Sequence, residues 1–226
     1  SSQTILFTIQ KYEGDNIMGL PILVIGKSGM GKSASLRNFD KDRLGVVNVL
    51  GKALPFQNDF NTIQTDNYSQ IKQILLGSKV NTLVIDDAGY LITNQFMRGH
   101  AGGKGSSIFD LYNQMGDNFW ELINFISYQL PNNKIVYLFM HEDKNELGDI
   151  KPKTIGRMLD EKVCVEGMFT IVLRAVKDDG KYVFSTQSNG FDVAKTPIGL
   201  FDTQYIENDL RGITQKIRRY YKMEEN

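Results

Sequence analysis

The chain has 226 residues, 41% hydrophobic and 23% charged, which supplies a core for one packed domain and argues against disorder. Lysine plus arginine (26) balances aspartate plus glutamate (26), so no whole-molecule field draws the protein onto nucleic acid or an anionic membrane, and any polyanion site must be local. One cysteine, Cys164, and two histidines, His100 and His141, exclude an intrachain disulfide, a cysteine-rich zinc site and a paired-histidine metal motif, and a reducing, cytoplasmic setting is expected.

Ser1 to Lys11 lacks the basic-then-apolar order of a secretory signal. Ile5, Phe7 and Ile9 alternate with more polar neighbours, so residues 1–17 read as a short strand or as an extension preceding one domain over 18–226. Leu20 to Ile25 is a continuous apolar strand that stops at Gly26, and Val46 to Leu50, Thr82 to Ile85 and Ile135 to Met140 share that texture, as expected of strands covered on both faces. A helix is predicted after Gly31 and another after Asp66, a plausible N-cap, with Tyr68, Ile71 and Leu75 on one side. The strongest helix lies near Ser107 to Gln129, where Ile108, Leu111, Tyr112, Met115, Phe119, Leu122, Ile123 and Ile126 keep the spacing of a buried stripe, and Gly116 marks a point for a kink. The most apolar region, Phe119 to Met140, is broken by Glu121, the Pro131-Asn132-Asn133 turn and Lys134, so no membrane span is expected.

Buried strands alternating with helices predict an α/β fold with a mainly parallel sheet flanked by helices. The final third differs. Phe169 to Val176 and Tyr182 to Thr186 flank Asp178-Asp179-Gly180 as a β-hairpin, and a last helix carries Ile206, Leu210, Ile213, Ile217 and Tyr220 on its apolar side. Trp120 and Cys164 read as core residues.

Gly26-Lys27-Ser28-Gly29-Met30-Gly31-Lys32-Ser33 fulfils the G-x-x-x-x-G-K-S pattern between an apolar strand and a helical pattern. Three glycines let the backbone curl so that successive N–H groups face inward, and a helix N-terminus adds partial positive charge there. This segment, with Ala34, is assigned to ATP: Lys32 reaches the β and γ phosphates and the Ser33 hydroxyl coordinates Mg²⁺. An ordinary glycine-rich turn is the bland alternative, and the strand-to-helix context disfavours it. Thr82-Leu83-Val84-Ile85-Asp86-Asp87 supplies the acidic strand end such a site needs. Asp86 is assigned to the Mg²⁺ shell and Asp87 to polarising the attacking water, against the alternative of a solvated Asp-Asp turn. His141, where Val136-Tyr137-Leu138-Phe139-Met140 ends, is a γ-phosphate sensor or a structural histidine.

With these motifs the sequence resembles the additional-strand P-loop ATPases, the branch of the RecA-like and AAA+ proteins. It is more closely similar to small phage-encoded recombination ATPases, including ATP-binding single-strand annealing proteins of the Sak group. The likeness runs from about Leu20 to Tyr221 and rests on GKSGMGKS, LVIDD, the helix containing Trp120, Leu130-Pro131, the strand ending in His141, Thr154-Ile155-Gly156-Arg157, the hairpin, Ala194-Lys195-Thr196-Pro197 and Asn208-Asp209-Leu210. It implies that the strand of His141 lies between the phosphate-loop strand and the acidic strand. It also implies a cation supplied by a neighbouring subunit, for which Lys195 and Arg157 are the candidates, and hence a homo-oligomeric ring or filament. Single-stranded DNA and replication or recombination proteins are the implied partners, in the host cytoplasm if the protein is phage-encoded. One departure stands out. RecA-like proteins usually carry a catalytic glutamate just after the second strand, but Leu50-Gly51-Lys52-Ala53-Leu54 has no carboxylate, leaving Asp87 or Glu142 to substitute, or hydrolysis slow.

Two basic segments are candidate phosphate-backbone contacts, each with a plain solvated surface as the alternative. Arg98, His100 and Lys104 lie in Phe96 to Ser107, expected to be a mobile glycine-rich loop, and Arg211, Arg218 and Lys222, with Lys216 and Arg219 nearby, line the last helix. The leading expectation is an oligomeric ATPase of phage DNA recombination or replication. A nucleotide-switched interaction module such as a helicase loader is the second, and a small-molecule phosphotransferase is disfavoured because no arginine-rich lid is apparent.

Overall fold

Strand β1 (Leu20–Gly26) contains no charged residue because every position in it is buried. In the computed structural model, which describes residues 19–102, 106–156 and 158–223, β1 sits near the middle of a nine-stranded, mostly parallel sheet. A short 3-10 helix (Ser33–Leu36) follows, then β2 (Gly45–Asn48), β3 (Asn61–Gln64), α1 (Tyr68–Gly77), β4 (Thr82–Asp86), α2 (Gly89–Gly99) and α3 (Ser106–Gln129). The chain continues through β5 (Ile135–Lys144), β6 (Ile150–Pro152), β7 (Ile171–Asp178), β8 (Lys181–Ser185), β9 (Tyr205–Glu207) and α4 (Leu210–Tyr220). The strand order is β3-β2-β4-β5-β1-β7-β8-β9, with β6 paired to β5. Strands β3 through β7 along that path are parallel, and β8 reverses direction.

The α/β class and the parallel sheet are as the alternating pattern predicts. Ile71 and Leu75 of α1, Leu91 and Ile92 of α2, and Met115, Phe119, Leu122, Ile123 and Ile126 of α3 pack on one face of the sheet with Leu23, Ile25, Leu83, Ile85, Val136 and Leu138. The opposite face buries Ile22, Val24, Val84, Tyr137 and Phe139 against Leu36, Leu210, Ile213 and Ile217. Alternate residues of one strand thus serve two cores, which is why the central strands read as unbroken apolar runs. In the turn between β7 and β8, Asp179 (φ 42°) and Gly180 (φ 76°) both take left-handed backbone, as a two-residue turn joining twisted strands requires. Among the described residues no helix is long and apolar enough to cross a membrane.

Several expectations are corrected. The helix after Gly31 is only the four-residue 3-10 turn, since Asn38, Asp40 and Asp42 follow at once and polar side chains of this kind compete with helical backbone bonds. Asn67, not Asp66, caps α1, its side chain accepting from Gln70 N at 3.0 Å, because Asp66 is occupied by Asn94 and Arg98. The second strand stops at Asn48, whose side chain turns the chain by accepting from Gly51 N at 2.8 Å. Strand β5 runs four residues past Met140 because β6 pairs with its extension, so His141 lies inside the strand and not at its end. Ile206 belongs to β9, and Tyr220 is partly exposed with its hydroxyl donating to Ile198 O. Trp120 is 48% exposed and Cys164 is exposed, so neither is core. The expected strand within residues 1–17 lies outside the described residues.

Candidate functional site

The sheet register brings the separated motifs together. Gly26, the last residue of β1, pairs with His141 of β5, and β5 in turn pairs with β4, which ends in Asp86. The strand of His141 therefore lies between the glycine-rich strand end and the acidic strand end. Gly26 must be glycine: a Cβ there would meet Ala175 O at 2.8 Å and Ala175 Cβ at 3.0 Å on β7.

Lys32 is only 7% exposed, and its Nζ donates to Gly26 O at 2.6 Å and Lys27 O at 3.0 Å, so the ammonium is held inside the curl of residues 26–32. Burial holds its pKa below the usual lysine range, while the charges of Asp87, Asp86 and Glu142 oppose that shift. Gly31 has φ 89°, and its carbonyl accepts from Asn208 Nδ2 at 3.2 Å. Arg37 Nη1 binds Asn208 O at 2.7 Å, so the buried Asn208 ties the far end of the loop to the start of α4. The role of Asn208 is not legible in the sequence, because its partner is 177 residues away, beyond any local pattern.

Ser33 Oγ lies 3.0 Å from both carboxylate oxygens of Asp86. Burial, and then the neighbouring Asp87 charge, pushes the Asp86 carboxyl above the usual carboxylate range, opposed by the Ser33 bond. A buried carboxylate beside a hydroxyl is a hard-oxygen pair suited to Mg²⁺. Among the described residues no group of three or more His, Cys, Asp or Glu gathers to hold a metal, so an ion held by Ser33 and Asp86 would take its other ligands from water and phosphate. Such an ion would neutralise phosphate charge.

Asp87 adopts left-handed backbone (φ 59°), a conformation Asp tolerates better than most residues, and its N–H donates to Asp86 Oδ1 at 3.1 Å. That bend turns its carboxylate toward the Lys52 ammonium, Nζ at 2.6 Å from Oδ2, and toward the His141 ring, Nε2 at 3.6 Å from Oδ1. Burial, together with the charge of Lys32, lowers the His141 pKa, which favours the neutral ring, and Tyr90 packs on it edge to face. A cavity of about 600 Å³ opens here, lined among others by Lys27, Lys52, Tyr90, His141 and Lys153. Sequence alone gives no sign of the Lys52–Asp87 pair, since a solvent-facing lysine in a loop carries no local signal of its partner.

Glu142 does not serve as a free carboxylate. Arg174 grips it through Nε at 2.8 Å and Nη2 at 3.0 Å, and binds Asp192 through Nη1 at 3.1 Å. Lys195 is placed by backbone bonds to Val172, near the start of β7 and away from the loop of its own chain, while Arg157 and Lys104 lie outside the described residues. The expected basic loop is largely helical. Arg98 belongs to α2 and pairs with Asp66 at 2.6 Å, and His100 stacks on Phe96. The basic face of α4 is likewise divided. Arg218 is 6% exposed and donates to Asn133 O, Asn81 O and Thr82 Oγ1, while Arg211 pairs with Asp40 and Lys216 with Asp202. No protein-family model matches the sequence, and no curated protein is significantly similar to it; the chain stands on its α/β sheet and on the cluster of Lys32, Ser33, Asp86, Asp87 and His141 at one end of it.

Proposed function

We propose that the protein binds and hydrolyses ATP with Mg²⁺ through a P-loop core of RecA-like type. The observation that carries this reading is the convergence of the G-x-x-x-x-G-K-S loop at the end of β1, the Ser33–Asp86 pair at the end of β4, and His141, which lies within β5 beside Gly26. Backbone N–H groups of residues 26–34 and Lys32 hold the phosphates, Ser33 and Asp86 the cation, and Asp87 takes the proton of the attacking water. Replacing Lys32 with Ala removes a charge-assisted contact, and triphosphate affinity measured by calorimetry is expected to fall roughly 10- to 150-fold. Unchanged affinity and turnover in that variant refute the phosphate site.

From the sequence resemblance we carry the further proposal that the ATPase acts in phage DNA recombination or replication and binds single-stranded DNA as an oligomer. Anisotropy of a labelled single strand should then rise with a nonhydrolysable ATP analogue and fall steeply with salt. Absence of binding under every nucleotide condition removes DNA from the proposal. One observation favours a second reading, a nucleotide-switched module with little turnover: in this structure Asp87 is already engaged by Lys52. Nucleotide-dependent retention of a replication protein without DNA binding separates the two.

A further inference from the structure

Lys52 is held in place by buried structure. Asn48, 4% exposed at the end of β2, donates through Nδ2 to Lys52 O and accepts from Gly51 N, closing residues 48–52 into a tight loop. Gly51 has φ 70°, a left-handed backbone that favours glycine at the bend. Val49 N donates to Asp86 O at 3.2 Å, which joins this loop to the acidic strand end. The lysine stem that leaves the loop is 61% exposed, yet its ammonium is drawn to Asp87. It is therefore anchored at its backbone and free along its length.

The charges around it point to an incoming anion. Lys27, Lys52 and Lys153 line the same cavity as His141, and Lys32 lies beside them inside the loop. Of the nearby carboxylates, Glu142 is neutralised by Arg174, Asp86 is bound by Ser33, and Asp87 alone faces Lys52. A phosphate group entering the cavity brings more negative charge than the single carboxylate it displaces, and an exposed lysine on a flexible stem follows it at little cost.

We propose that Lys52 is the catalytic cation for the terminal phosphate of a bound triphosphate, supplied by the same chain, and that its transfer from Asp87 to that phosphate frees Asp87 to act as base. This rests on the triphosphate reading above. In the step, the water oxygen forms a bond to the γ phosphorus, and the bond from that phosphorus to the β–γ bridging oxygen breaks. The bridging electron pair stays on the diphosphate and the water proton passes to Asp87, giving ADP and inorganic phosphate. Lys52 neutralises charge on the transferred group, the task that the resemblance assigns to a cation from a neighbouring subunit.

The test compares wild type, Lys52→Gln, Lys52→Arg and Lys32→Ala. Calorimetric affinities for ADP and for a nonhydrolysable ATP analogue are measured together with ATPase rates across protein concentration. Lys52→Gln is expected to keep ADP affinity, to lose its preference for the triphosphate by about tenfold or more, and to slow turnover about 10²–10³-fold. Lys52→Arg should recover part of both, and the wild-type rate per subunit should not change on dilution. The proposal is overturned if Lys52→Gln keeps wild-type preference and rate, if it turns over faster, which makes Lys52 a lock on Asp87, or if the wild-type rate per subunit rises with concentration. Nucleotide binding that survives Lys32→Ala overturns the triphosphate reading itself, a result distinct from any of these.

Discussion

Asp86 is the residue whose chemistry conflicts most openly with stability. Its carboxyl is buried beside a second carboxylate, so it holds a proton at pH values where an unfolded aspartate has lost it. Where the native state binds more protons than the unfolded one, stability falls as pH rises, so this group removes stability as pH climbs from the ordinary carboxylate range through its raised pKa. Asp86→Asn removes the ionisable group and keeps an oxygen for Ser33. In the nucleotide-free protein it is expected to flatten that slope and raise Tm at neutral pH, by about 2–4 °C for each kcal/mol released. The same variant should lose the tightening of nucleotide binding that Mg²⁺ gives wild type. A thermal scan over a pH series, with and without Mg²⁺ and nucleotide, reads both effects. Unchanged neutral-pH stability would mean that the Ser33 bond offsets the burial in full.

At the scale of elements, α3 is the main buttress of one sheet face. Phe119 is fully buried in that core, and Phe119→Ala should cost about 3–5 kcal/mol in urea denaturation. Cores, hairpin and the curl of residues 26–32 were legible because their causes are local: unbroken apolar runs for two-sided strands, Asp-Gly for the turn, and glycines for the curl. What stayed hidden is set by distant partners. Arg218 keeps helical spacing with Arg211 and so resembles a surface cation, yet it reaches the carbonyls of Asn81 and Asn133. Arg218→Ala strands those oxygens in a part-buried setting, and it should lower stability by about 1–3 kcal/mol, whereas Arg219→Ala, on the exposed side, should change it by less than about 0.5 kcal/mol. A loss of single-strand binding in the Arg218 variant without loss of stability would contradict the buried role.

For the whole molecule, several of the cations that sequence spacing groups together are paired with carboxylates. Arg98 with Asp66, Arg211 with Asp40 and Lys216 with Asp202 spend much of the basic surface that sequence spacing suggested for DNA. Lys27, Lys52 and Lys153 line the cavity beside Lys32. On the proposed reading, a single subunit is expected to bind a triphosphate before a nucleic-acid backbone, and strand binding is expected to track assembly. Sedimentation with and without the ATP analogue, paired with anisotropy at the same concentrations, checks that order: binding by a monomer overturns it.

The clamp of Asn208 on Gly31 also has a temporal side. During synthesis the loop leaves the ribosome 177 residues ahead of the side chain that secures it. A chain halted before Asn208 holds the whole phosphate motif without its fastening to α4. On the proposed triphosphate reading, a chain that lacks Asn208 is then expected to hold nucleotide less tightly than one that carries it.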